Sequence, residues 1–184
     1  MTFNSLAYLI LLGVTVALYF GLSFRWRLML LIGTSVVFYA FWSVPFVGLI
    51  ILSATVDYVA ALLIHHYDDN ARIRRACLVL SIITNLGILG YFKYSNFFLE
   101  NIAELIGSEG EVRILSVVLP PGISFYTFQS MGYTIDVFRR QITPTRSYAR
   151  FFLFVSFFPQ LVAGPIERAS HLLAQFDHAL RERV

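Results

Sequence analysis

The stretch from Leu28 to Ile64 constrains the fold most, because Asp57 is its only charged side chain. The stretch is too long for one membrane-crossing helix, which needs about 20 apolar residues. Pro45 divides it, since proline disfavours helix at the residue before it and suits the first turn of the helix that follows. We therefore predict a helical hairpin with arms at 28–41 and 45–64.

A soluble domain could not hide this much apolar surface. Of the 184 residues, 58% are hydrophobic and 14% are charged, and the mean hydropathy is +0.71. A globular domain is about 45–50% apolar and about 25% charged. The surface of a soluble protein needs polar cover, whereas a bilayer removes that need. The composition therefore predicts an all-α, polytopic transmembrane protein, with the lipid bilayer as its first partner.

Apolar runs separated by polar loops predict about six membrane segments, one of them broken by prolines. Two amphipathic helices are predicted to lie along the membrane interface. The predicted segments are 3–22, 28–41, 45–64, 76–92, 114–135 and 148–165, and the amphipathic helices are 95–106 and 167–182. All of them are assigned to one domain, and the first is expected to be a retained span because no basic region precedes it.

The basic residues lie in short clusters between the apolar runs. The clusters are Arg25 and Arg27; Arg72, Arg74 and Arg75; and Arg139, Arg140 and Arg146. Alternate crossings place all three on one side, and cytoplasmic loops collect arginine, so we predict that the N-terminus lies outside. A nucleic-acid-binding protein would gather these residues on one face. The pI of about 9.2 therefore does not indicate a nucleic-acid partner.

The segment 114–135 is uncharged but holds Pro120, Pro121 and many polar groups. Prolines inside a span free backbone carbonyls that lipid cannot satisfy, so this segment must face protein or a wet cavity. Four of its polar residues are candidates for lining a chamber: Ser124, Tyr126, Gln129 and Tyr133. The alternative interpretation is that they satisfy the freed backbone or bond neighbouring helices. The sequence leaves both interpretations open.

Two motifs resemble a known family. They are LPPGISFYTFQSMGYTIDVFRR at 119–140 and FFPQLVAGPIER at 157–168. Both resemble the membrane-bound O-acyltransferase (MBOAT) family, in the branch of the alginate O-acetylation protein and the D-alanine exporters of teichoic acid modification. The remaining spans are similar in arrangement and polarity. The resemblance therefore implies that the chain is the N-terminal portion of such a protein, in the bacterial inner membrane.

The resemblance also implies a chemistry. An acyl group would pass from a donor, acetyl-CoA or another acetyl carrier, to a hydroxyl of an acceptor outside the membrane. In the alginate branch the acceptor is a polysaccharide, and further exported O-acetylation proteins finish the transfer. The second motif borders the reaction chamber in the family, which adds Gln160, Glu167 and Arg168 to the candidate chamber-lining residues.

The family's reactive histidine lies in an apolar segment well after the second motif, so we expect it in a C-terminal half beyond Val184. It is assigned to none of the four histidines here, which lie in polar surroundings: His65, His66, His171 and His178. No catalytic or metal-binding residue is predicted, and the single Cys77 excludes an intrachain disulfide.

Other functions stay open. The chain could be a non-catalytic scaffold of an exopolysaccharide modification complex, or could serve D-alanyl transfer to teichoic acid. It could also be part of a transporter, with the proline-broken helix as its substrate site. Asp57 is expected either to pair with an arginine inside the membrane or to reach toward the inner interface.

Overall fold

The computed structural model describes residues 5–105, 118–163 and 167–181. These parts form helices joined by turns, and no strand occurs in them, which confirms the all-α prediction. The helices are α1 (Leu6–Gly21), α2 (Phe24–Ala40), α3 (Val44–His66), α4 (Ala71–Leu105), α5 (Ile123–Phe138), α6 (Tyr148–Ser156), α7 (Phe158–Ala163) and α8 (Ala169–Arg181). Parts of the predicted membrane segments, amphipathic helices and second motif lie outside the described residues, at 3–4, 106, 114–117, 164–166 and 182.

The predicted hairpin is present as α2 and α3. Pro45 lies in the first turn of α3, where its missing N–H group has no helical partner to lose. The backbone N–H groups of Trp42 and Ser43 both bond the Tyr39 carbonyl, at 3.0 and 3.2 Å, which closes the turn. The start of α2 differs from the prediction, because the helix begins at Phe24 and takes the first arginine cluster into its first turns.

Helix α4 joins two elements that were predicted to be separate. The apolar segment 76–92 and the amphipathic helix 95–106 lie in one helix of 35 residues, Ala71–Leu105. No glycine or proline lies between Tyr91 and Leu105, so nothing in the chemistry of the chain ends the helix at Lys93. Its start is also earlier, because the Asn70 side chain accepts the N–H groups of Arg72 and Ile73 at 3.2 Å.

In the described part of the chain, two helices are long and apolar enough to cross a membrane: α3, and the part of α4 from Ala71 to Ser95. Helix α1 is apolar but has 16 residues. The predicted segment 148–165 is not one helix, because the chain is extended at Phe157 and divides into α6 and α7. Pro159 explains the break, since proline is tolerated in the first turn of a helix and not in its interior. The count of six membrane segments stays a prediction.

Helix α3 is the centre of the bundle and packs against α2, α4, α5 and α6. Helix α6 has only 9 residues and is buried along its length from Phe151 to Ser156. A helix of that length cannot cross a bilayer. It acts as a core element, with the Phe151 ring 4.6 Å from the Tyr133 ring of α5.

The prolines of the first motif precede α5 and do not lie inside it. Gly122 caps the helix in the left-handed region, at φ 73°, which costs glycine little and other residues more. The Gly122 carbonyl accepts the Tyr126 N–H at 3.0 Å, and the Tyr39 hydroxyl donates to the Pro121 carbonyl at 3.4 Å. The predicted proline-broken span is therefore, in its described part, a turn followed by an unbroken helix.

Gly122→Ala is expected to lower the free energy of unfolding by about 1–2 kcal/mol, because the left-handed conformation opposes a side chain. The added Cβ would also lie 3.2 Å from the Tyr39 hydroxyl. Gly87→Ala in α4 is the matched control, since its Cβ meets nothing within 4 Å, and should raise stability by up to about 1 kcal/mol. Thermal unfolding in detergent measures both, and shifts of the same sign would contradict the prediction.

Candidate functional site

A polar pocket of about 240 Å³ lies between the second half of α5, the loop that follows it and the start of α8. Four of the seven candidate residues line it: Gln129, Tyr133, Glu167 and Arg168. The pocket therefore joins the two motifs, which are far apart in the chain, in one place. Asp136, Arg139 and Gln141 also line it. The sequence did not predict these three as chamber-lining residues, and Arg139 was placed only in an arginine cluster.

The helical repeat explains why α5 presents this face. Gln129, Gly132, Tyr133 and Asp136 are separated by three, four and seven positions, so they lie on one side of the helix. Gly132 has no side chain and leaves open space on this side of the helix, where an added Cβ would meet nothing within 4 Å. The same spacing is the signal in the sequence that could have identified Asp136.

Gln129 and Tyr133 also hold the surrounding structure. The Gln129 amide donates to the Phe154 carbonyl at 2.8 Å, in the last turn of α6, where carbonyls lack helical partners. The Tyr133 hydroxyl accepts the Thr145 N–H at 2.9 Å. The hydrogen bonds of both side chains therefore stabilise the fold, which is the structural role that the sequence left open. Both residues also line the pocket.

The loop after α5 forms the rim and is fixed at several points. Arg140, at φ 60°, bonds Asp68 with its Nε at 3.0 Å. Arg74 lies 3.2 Å from the same carboxylate and also donates to the Phe138 carbonyl at 2.5 Å. Two of the three arginine clusters therefore meet at one end of the bundle.

Glu167 and Arg168 enter the pocket just before α8. Glu167 lies 3.2 Å from the imidazole Nδ1 of His171, one helical turn further on. The Arg168 side chain is exposed and makes no hydrogen bond or ion pair to another described residue. Arg139 is also exposed and lines the same pocket, so both arginines present their charge to a ligand.

The other three candidates lie elsewhere. Ser124 and Tyr126 are near the start of α5, and Ser124 lies about 13 Å along the helix axis from Tyr133. Tyr126 is buried, and its hydroxyl has no hydrogen-bond partner among the described residues. Gln160 is half-buried in α7. None of these three lines the pocket.

The histidines do not assemble a site in the described part of the chain. His65 and His66 are exposed at the end of α3, and His171 is exposed on α8. Among the side chains that the structure describes, no three of histidine, cysteine, aspartate or glutamate come together as metal ligands.

Asp57 departs from both of its expected settings. Its side chain is fully buried, so it does not reach the interface, and no arginine forms an ion pair with it among the described residues. Its partners are Ser81 and Asn85 of α4, which both donate to Oδ1. In the described structure, neutral donors on the neighbouring helix bind Oδ1, and the predicted arginine partner is not found among the described residues.

Comparisons with known proteins identify relatives along nearly all of the chain. A probable alginate O-acetylase of Pseudomonas aeruginosa is 39% identical over 97% of this chain and 35% of its own length. Its counterpart from Azotobacter vinelandii is 38% identical over 97% of this chain and 36% of its own. A peptidoglycan O-acetyltransferase of Helicobacter pylori is 36% identical over 79% of this chain and 32% of its own.

No protein-family model matches the chain, and no solved structure gives a significant match. The chain spans about a third of the length of the curated relatives it matches. Those relatives are of the MBOAT type, in agreement with the two motifs. This chain therefore belongs to the membrane-bound O-acyltransferase family.

Proposed function

We propose that the chain is part of a membrane O-acetyltransferase that acetylates an exported polysaccharide such as alginate. The observation that carries the proposal is the pocket, because residues of both family motifs line it together. The names of the relatives give the reaction and the class of acceptor. The rest of the protein would supply the reactive histidine, and exported O-acetylation proteins would complete the transfer.

The pocket is proposed to hold the anionic part of the acetyl donor, acetyl-CoA or another acetyl carrier. Arg139 and Arg168 both line it, and the planar guanidinium group binds phosphate or carboxylate through two parallel hydrogen bonds. Asp136 and Glu167 balance these charges when the pocket is empty. In this arrangement the arginines bind and orient the donor, and no residue of this chain forms a bond with the acyl group.

The orientation in the membrane is part of the same proposal. A multi-pass protein of the bacterial inner membrane, with six segments and its N-terminus outside, would have its arginine clusters in the cytoplasm. The pocket lies at the end of α5 that carries Arg139 and Arg140, beside the ion pairs of Asp68. It would then open toward the cytoplasm, where an acetyl donor is made.

Peptidoglycan is a second candidate for the acceptor polysaccharide. One relative is named a peptidoglycan O-acetyltransferase, at 36% identity, so peptidoglycan is a polysaccharide acceptor to weigh beside alginate. Ester-linked acetate, released by mild base from the separated exopolysaccharide and peptidoglycan fractions, distinguishes the two. Loss of acetate from one fraction on deletion of the gene identifies the acceptor.

Arg168→Ala is expected to reduce polysaccharide acetylation by about 10- to 100-fold, because a charge-assisted hydrogen bond contributes about 1.5–3 kcal/mol. Stability should change little, since the side chain bonds no other described residue. The measurement is acetate per unit of polysaccharide, divided by the amount of protein in the membrane. Gln129→Ala is a poorer test, because it also removes the bond to the Phe154 carbonyl.

Arg75→Ala is the matched control, because Arg75 is exposed on α4 and does not line the pocket. It removes the same charge from the protein and should leave acetylation unchanged. Full acetylation by Arg168→Ala would show that the pocket does not bind the donor. If deletion of the gene leaves acetylation unchanged, the transporter or D-alanyl transfer is favoured.

A further inference from the structure

Three apolar helices each carry a pair of polar residues four positions apart. The pairs are Ser53 and Asp57 on α3, Ser81 and Asn85 on α4, and Ser130 and Thr134 on α5. All six side chains are buried, with at most 1% of each exposed. Residues four apart share a helix face, so the three faces meet in one polar cluster inside the bundle. We call it the Asp57 cluster.

One oxygen of Asp57 has a full set of donors and the other has none. Oδ1 accepts from the Ser81 hydroxyl and from Asn85 Nδ2, the latter at 2.8 Å. Asn85 is held in that orientation because its own Oδ1 accepts from Ser53 at 2.6 Å. Oδ2 makes no hydrogen bond to any described residue, although the side chains of Ser130 and Thr134 face the carboxyl group.

The hydroxyls on α5 are already used as donors. Ser130 donates to the Thr127 carbonyl at 3.2 Å, and Thr134 donates to the Ser130 carbonyl at 3.3 Å. A carbonyl can only accept, so each of these hydroxyls offers lone pairs to its neighbours. While both hydroxyls donate to these carbonyls, Oδ2 of Asp57 faces their lone pairs, and it can bond them by carrying a hydrogen.

Within the described part of the chain, no positive charge compensates an ionised Asp57. The elements packed on it present hydroxyl and amide groups, and no described lysine or arginine forms an ion pair with it. A metal cation is opposed as well, because Ser81 and Asn85 direct donor hydrogens at Oδ1. An unpaired carboxylate in an apolar interior is costly, and such a group is neutralised by a proton.

We propose that Asp57 is a neutral carboxylic acid whose Oδ2–H donates to a hydroxyl of α5, and that this bond positions the pocket wall. Ser130 and Thr134 are the immediate neighbours of Gln129 and Tyr133. The bond on the inner side of α5 therefore fixes the height and rotation of the side that lines the pocket. The protonation of Asp57 does not depend on the proposed function, whereas the positioning role rests on that function.

The first test is infrared spectroscopy of the whole protein in membranes at neutral pH. A protonated carboxyl group has a C=O stretch that is separate from the bands of ionised carboxylates. The difference between the unmodified protein and Asp57→Asn should contain this band. Asp69→Asn is the control, because Asp69 is exposed, and should show no such difference. Absence of the band from the Asp57→Asn difference would overturn the proposal.

The second test uses acetylation per unit of membrane protein. Asp57→Asn should keep transfer, because its amide donates where the acid did. Asp57→Leu should lower transfer about tenfold or more, since small misplacements of binding groups have large effects. The double variant Ser130→Ala, Thr134→Val should do the same. This variant leaves Asp57 with Ser81 and Asn85, and so tests the same bond if the leucine variant does not accumulate.

The outcomes separate the two proposals. Loss of transfer in Asp57→Asn would show that an ionisable group is needed and would overturn the positioning role. Full transfer in the double variant would also overturn it. If the unmodified protein acetylates no polysaccharide, the proposed function fails, while the infrared band still decides whether Asp57 carries a proton.

Discussion

Phe151→Ala is expected to lower the free energy of unfolding by about 3 kcal/mol. The ring is fully buried in α6 and has Tyr58 and Tyr133 at centroid distances of 5.7 and 4.6 Å. Such truncations cost about 3–5 kcal/mol in soluble cores. The lower end applies here, because the unfolded chain in a membrane is surrounded by lipid and the loss is mainly one of packing.

The matched control is Phe98→Ala, since Phe98 is 60% exposed on α4 and should change stability by no more than about 0.5 kcal/mol. Unfolding in detergent, followed by circular dichroism against increasing denaturant, measures both variants. Equal losses would mean that α6 is not a packed core element. Phe151→Ala should also lower acetylation, because Tyr133 rests on this ring and lines the pocket.

Asn85→Leu should lower the free energy of unfolding by about 2–3 kcal/mol. Asn85 makes three bonds in the Asp57 cluster: it accepts from Ser53 at 2.6 Å, and it donates to Asp57 at 2.8 Å and to the Ser81 carbonyl at 3.0 Å. Leucine fills a similar volume, so the effect comes from the lost bonds. A buried group left without its partner costs about 1–3 kcal/mol, although bonds between membrane helices are often weaker.

Asn101→Leu on the same helix provides the comparison. Asn101 is exposed and bonds only the Phe97 carbonyl, at 2.6 Å, in the described structure, so its replacement should be almost neutral. A thermal shift in detergent that is large for Asn85→Leu and small for Asn101→Leu supports the cluster as a stabilising contact. Similar shifts for both variants would mean that the hydrogen bonds of Asn85 do not stabilise the bundle.

Local chemistry made several elements predictable. The hairpin of α2 and α3 follows from Pro45, whose effect on its neighbours does not depend on the rest of the fold. The amphipathic helix predicted at 167–182 follows from its spacing in the same way, and Leu172 and Phe176 on one face of α8 are buried. The two motifs were sufficient to identify the family. Four candidate residues from them line one pocket.

Where an element ends was less predictable when no residue type marks the end. Lys93 suggested a boundary in α4, but a single charge does not stop a helix that has good helix-forming residues on both sides. The break at Phe157 and the burial of α6 could not be predicted from the sequence for a related reason. An apolar run of that length looks the same whether lipid or protein surrounds it.

The amino-acid sequence by itself determined that the chain is helical, that membrane-length apolar helices run through it, and to which family it belongs. These properties depend on composition, helical periodicity and short motifs, which are local. Only the tertiary structure decided that Glu167 and Arg168 meet Gln129 and Tyr133, and that Asp57 bonds Asn85. Such contacts depend on how the helices rotate and cross, and packing over the whole bundle sets those angles.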